Sequence, residues 1–248
     1  MPTLLARARF WPALAAVILI ASMLLPPAAG YARQYAFAQA LQFVIFAVAG
    51  PALLVLAIRW RLRPLRLLGA GRRRRPAARA AIRLAAFIAL AITWRLPVTV
   101  NALARHPALT AVEMITLLAV GTGVWAELAG PRPAPGQLAR PARAAMAAAA
   151  MWTIWVLAYL TGMSGTSWFA AYRHGAPGGL SAAADQQIAV AILWAVPALC
   201  FVPVLYVTVI AWLGGGTSPA GNQHPAASVS TPGSWPRPPR GWRSPNTR

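Results

Sequence analysis

Apolar residues along this chain come in long runs broken by short polar stretches, and six of these runs reach about 20 residues, enough to cross a bilayer core of roughly 30 Å. They fall at approximately 11–30, 36–58, 80–101, 107–128, 143–163 and 185–213. Arg7 and Arg9 precede the first run, which ends in Ala28-Ala29-Gly30 like a secretory leader. Its length and the Pro26-Pro27 pair near its end instead predict an uncleaved first helix. The last run is overlong and contains Pro197 and Pro203, which predicts a tilted or kinked span. The pattern therefore predicts an all-α, polytopic membrane helix bundle over residues 1–213, with about six transmembrane helices. Beyond it, residues 214–248 are rich in Gly, Pro, Ser and Asn, cannot bury a core, and read as a disordered Arg/Pro-rich cytoplasmic tail.

Placement of arginine tests this count. The chain has 23 basic residues, all Arg, against three acids. With the N-terminus inside, nineteen Arg fall on cytoplasmic segments, only Arg33, Arg105 and Arg173 fall outside, and Arg95 lies within a span. That asymmetry is the positive-inside signature. It predicts an even number of spans, both termini cytoplasmic, and a multi-pass protein of the bacterial cytoplasmic membrane. The net charge of +20 thus reads as an orientation code, and Arg72 to Arg75 and the tail arginines as lipid-facing, with no nucleic acid partner implied. A charged fraction of 10% and 58% hydrophobic residues exclude an ordinary soluble domain.

Polar residues inside spans are costly and point to function. Three groups qualify. Gln39 and Gln42 open the second span, Glu113 and Met114 lie early in the fourth, and Asp185-Gln186-Gln187 opens the sixth. All three belong to spans running from outside to inside, so all sit toward the extracytoplasmic end and converge if those helices pack together. Simpler structural roles stand beside this one. Asp185 reads as an N-cap with Gln186 and Gln187 in the first turn, the other two Gln as interhelical hydrogen-bonding groups, and Glu113 as the partner of Arg95 or Arg105. A single Cys, three separated His and three acids leave little material for a metal cluster or for acid–base chemistry, so the sequence does not read as an enzyme.

Together these stretches resemble the bacterial cytochrome c oxidase assembly family called CtaG, the caa-type oxidase assembly group, over about residues 35–213. Three regions carry the likeness. Gln39-Ala40-Leu41-Gln42-Phe43 runs on to Gly50-Pro51-Ala52-Leu53-Leu54-Val55-Leu56-Ala57, Glu113-Met114 is followed by Gly121 and Trp125, and Leu180-Ser181 precedes Asp185-Gln186-Gln187, Trp194 and Pro197. The resemblance implies a membrane-embedded factor that aids maturation of a haem–copper oxidase, with oxidase subunits and the lipid bilayer as partners. It leaves copper open as a cofactor, because three histidines of the family pattern are replaced here by Gln39, Phe43 and Met114. Neutral Gln and Phe are not copper ligands in place of imidazole. A rebuilt Cu(I) site would have to draw on His106, Met114, Met163 and His174. The alternative function is a small ion-coupled transporter using Glu113 as proton carrier. A membrane enzyme of lipid or quinone chemistry is disfavoured by the shortage of acid–base groups.

Overall fold

The computed structural model describes residues 2–61, 76–129, 138–164, 167–174 and 179–214. The arginine run 72–75 and the tail from 215 onward lie outside the described residues. The elements are α1 (Pro2–Leu24), α2 (Pro26–Gln34), α3 (Ala36–Val44), a π-helical turn (Ile45–Ala49), α4 (Gly50–Arg61), α5 (Pro76–Arg95), α6 (Pro97–Arg105), α7 (Pro107–Leu128), α8 (Arg140–Gly162), a 3-10 turn (Ala170–Tyr172) and α9 (Ala182–Gly214). No strand occurs among the described residues. Five stretches are long and apolar enough to span a membrane: Ala36–Ile58, Pro76–Arg95, Pro107–Leu128, Arg140–Gly162 and Ala182–Gly214. Trp11–Leu24 and Pro26–Gln34, bent by 60° at their junction, supply a sixth if they act as one span. The all-α polytopic bundle expected from hydropathy is the observed fold.

Proline sets most of the boundaries. Five helices (α1, α2, α5, α6 and α7) begin on a proline, where the missing N–H costs nothing and the fixed φ suits a first turn. A proline disfavours the helical region for the residue before it. Leu25 (ψ 142°) and Leu96 (ψ 140°) are accordingly extended. This corrects two expected spans. The run 11–30 breaks at Leu25, and the run 80–101 breaks at Leu96, so that α5 ends at Arg95 and α6 is a separate short helix. By contrast α9 continues for 33 residues through both Pro197 and Pro203.

The Ala36–Ile58 span is the centre of the bundle: 67% of its apolar window is buried, against 22% in α5 and in α9. Helices α1, α7 and α9 all pack against it, α5 pairs with α7 and α8, and α8 with α9. Side chains such as Ile82, Val98, Leu199 and Tyr206 remain outside, as a lipid-facing surface allows. Near the middle of the central span Pro51 has no N–H to give to the Ala47 carbonyl, and the turn just before it widens into the π form. Helix α7 crosses at this place through Gly121. A Cβ there would lie 2.3 Å from the Ala47 oxygen and 2.7 Å from Pro51 Cγ. One turn on, Trp125 stacks on Phe201 of α9 at 5.0 Å.

Gly121→Ala should therefore push α7 off the central span and destabilise the protein by about 1–3 kcal/mol, the usual cost of overpacking. Thermal unfolding of the purified variant in detergent is the measurement, with Gly30→Ala, where a Cβ meets nothing within 4 Å, as the control.

Candidate functional site

Three antiparallel or adjoining helices bring opposite charges together at one end of the bundle. Arg95 is the last residue of α5, Glu113 lies in the second turn of α7, and Gln39 lies in the first turn of α3. All three are buried. Gln39 bridges the ions: its Oε1 accepts a hydrogen bond from Arg95 Nη1, and its Nε2 donates to Glu113 Oε1 at 3.1 Å. The guanidinium lies against two rings, with Cζ 5.4 Å from the centre of Phe43 and 5.1 Å from that of Phe169. Its Nε and Nη2 have no hydrogen-bond partner among the described residues. Ring faces stand in for acceptors on a cation that would otherwise be stranded.

Beside this cluster is a small open cleft, with room for about one water molecule, lined by Ala32, Arg33, Gln39, Gln42, Leu103, Thr110, Glu113 and Tyr172 among others. Gln42 donates to the Met23 carbonyl at 3.1 Å, and its buried Oε1 has no partner among the described residues. The Tyr172 hydroxyl donates to the Ala32 carbonyl at 2.9 Å. Burial holds that phenol neutral by pushing its pKa above the ordinary tyrosine range. Arg33 is the exposed charge on the cavity wall.

Asp185 and Gln186 are buried next to this region and act as ties. Asp185 is not the cap of its own helix, as the sequence suggested. The chain enters α9 earlier, at Ala182, with Ser181 Oγ accepting from Ala184 N–H. Asp185 caps α3 instead, through Oδ2 on Ala36 N–H at 2.8 Å and Oδ1 on Phe37 N–H at 2.9 Å. Both N–H groups belong to the first turn of α3, which has no internal acceptor for them, and the helix dipole favours a carboxylate there. Gln186 accepts from Trp168 N–H and donates to the carbonyls of Thr161 and Ser164 at the end of α8.

Of the seven residues singled out from sequence, Gln39, Gln42 and Glu113 thus share one cavity wall, and Asp185 and Gln186 anchor the helices that build it. Met114 is buried in the apolar core, while Gln187 is exposed. The direct bond expected between Glu113 and Arg95 or Arg105 is not made: Arg95 meets Glu113 through Gln39, and Arg105 is exposed. Phe169 and Tyr172 carried no sequence signal, because they reach the site from the connection between α8 and α9.

The motif positions do not suit copper. Both ends of the Gln39 amide are engaged, Phe43 has no donor atom and lies against a cation, and His106, Met163 and His174 are exposed. Among the described residues no three His, Cys, Asp or Glu side chains gather to hold a metal ion.

The fold and the buried polar end define a polytopic helical membrane protein. Residues 3–214 match the model of the cytochrome c oxidase caa3 assembly factor family, Caa3_CtaG, and the chain belongs to that family. No match was found among curated proteins or among solved structures. As a member of the family the chain is a cytochrome c oxidase assembly factor. Nothing in the cluster or in the family match favours the transport alternative.

Two sets of variants test the geometry. Asp185→Asn keeps the shape but removes the charge from two helix N–H groups, and should cost about 1–2 kcal/mol in thermal unfolding. Arg95→Leu and Glu113→Gln should each destabilise, the former by about 3–5 kcal/mol because it strands a buried carboxylate. The double variant should lose less than the sum of the two, a coupling read from a double-mutant cycle.

Proposed function

We propose that this protein assists assembly of a haem–copper oxidase in the bacterial cytoplasmic membrane by binding an oxidase subunit at the Gln39–Arg95–Glu113 end of the bundle, without enzymatic chemistry and without carrying copper at that place. The observation that carries the reading is the guanidinium of Arg95, seated against Gln39 and Phe43, the two α3 positions at which the family pattern has histidine. A fixed cation there repels a metal cation, and the neighbouring side chains offer neither imidazole nor thiolate. The positive-inside distribution of arginine supports an extracytoplasmic position for this end. Gln42, with an unused buried acceptor, and Arg33, at the cavity wall, are the groups free to meet a partner. Glu113, Asp185 and Gln186 hold the shape of the site, and Met114 and Gln187 contribute less.

Deletion of the gene should lower oxidase activity in isolated membranes, and the intact gene should restore it. A Gln42→Leu/Arg33→Ala variant should accumulate in the membrane, yet capture oxidase subunits at least about tenfold more weakly, the loss of one good contact. The purified protein should take up no stoichiometric Cu(I) in a chelator competition. Tight binding of one equivalent, lost on Met114→Leu, would replace the scaffold reading with a copper carrier.

A further inference from the structure

The opposite end of the bundle holds a second built cluster. Glu127, at the end of α7, is buried and accepts from Arg79 Nε at 2.7 Å and Arg83 Nη1 at 2.6 Å on Oε1, and from Arg79 Nη2 at 3.0 Å on Oε2. Arg83 Nη1 also reaches the Gly123 carbonyl at 3.4 Å. The two arginines are four residues apart on α5 and so share a face. Their side chains remain 27% and 34% exposed, against 6% for the carboxylate. Arg79 Nη1 and Arg83 Nε and Nη2 have no protein acceptor among the described residues.

We propose that Arg79 and Arg83, held by Glu127, form a binding site for the phosphate of an anionic phospholipid. Among the described residues one carboxylate faces two guanidinium groups, so the cluster keeps positive charge after its internal bonds are made. The carboxylate engages both forks while each guanidinium stays partly exposed, with N–H groups that Glu127 does not use, an arrangement suited to phosphate oxygens. Lipid is the occupant, not a dissolved anion, because the surface around the pair is apolar. Ile82, between the two arginines in sequence, is 70% exposed, and Ala78 and Ala81 are exposed beside it. On a membrane-spanning helix that surface meets acyl chains. Arg79 lies about 5 Å along α5 from Pro76 and Arg83 about 10 Å, at 1.5 Å per residue. From there long side chains reach the headgroup level.

The test uses the full-length protein, released from nanodiscs containing phosphatidylglycerol and phosphatidylcholine in equal amounts, with retained lipid counted by native mass spectrometry. Phosphatidylglycerol should be retained about tenfold more than phosphatidylcholine, in line with the attraction expected for basic groups at a lipid surface. Arg79→Gln/Arg83→Gln should abolish the preference. If that variant does not fold because Glu127 is stranded, the triple variant that adds Glu127→Gln removes the lone carboxylate and gives the same readout. Equal retention of the two lipids by the unaltered protein, or a preference that survives in the variants, would overturn the proposal. Displacement of the lipid by millimolar inorganic phosphate would reassign the site to a soluble anion and overturn it as well.

Discussion

Arg95 needs more of the structure around it than any other residue. A guanidinium buried in an apolar bundle is tolerable only if hydrogen bonds, a counter-charge and polarisable surfaces surround it together, since desolvation alone costs several kcal/mol. Those surroundings come from three places in the chain: Gln39 and Phe43 from the central span, Glu113 from α7 and Phe169 from the α8–α9 connection, around an Arg95 at the end of α5. Displacing any one of these elements uncovers the cation. The cluster therefore fixes the relative placement of helices whose apolar faces would pack almost as well with a small slide or rotation.

The same economy governs the polar residues around it. Most of them satisfy helix ends. Asp185 takes the first N–H groups of α3, Gln186 and Gln42 donate to carbonyls at the ends of α8 and α1, and the Tyr172 hydroxyl reaches α2 at Ala32. Backbone groups at a helix terminus have no partner within the helix, and near a bilayer water is a poor substitute. The Asp-Gln-Gln stretch that marks the family is thus largely architectural in this chain: its first two side chains join three helices at the end where the cavity opens. On the proposed reading, recognition falls to the unused oxygen of Gln42 and the exposed charge of Arg33.

Charge is divided between the ends of the bundle in two different ways. At one end a single buried cation is matched by a single buried acid through an amide bridge, so the region is nearly neutral inside. At the other, Glu127 serves two arginines that are partly open to their surroundings. Of the three acids in the chain, all are engaged: one with a bridged arginine, one with a helix terminus, one with an arginine pair.

By itself the sequence determined the class of fold, the approximate spans and the family. These follow from the length of apolar runs, from the cost of charge in lipid and from side-chain order within three short motifs, all of which are local properties. It also marked Gln39, Gln42, Glu113, Asp185 and Gln186 as residues that the bilayer would not tolerate without partners. The partners themselves were decided by tertiary structure. Asp185 looked like the cap of its own helix because a capping carboxylate is recognised by its neighbours in sequence, and only packing reveals that the N–H groups it serves lie 149 residues away. The breaks at Leu25 and Leu96 were masked by continuous hydrophobicity, which does not register that a proline constrains the residue before it. The joining of Arg95 to Glu113 through Gln39 depends on which helix faces meet, and apolar helices in lipid carry too little facing information in their sequence for that to be read in advance.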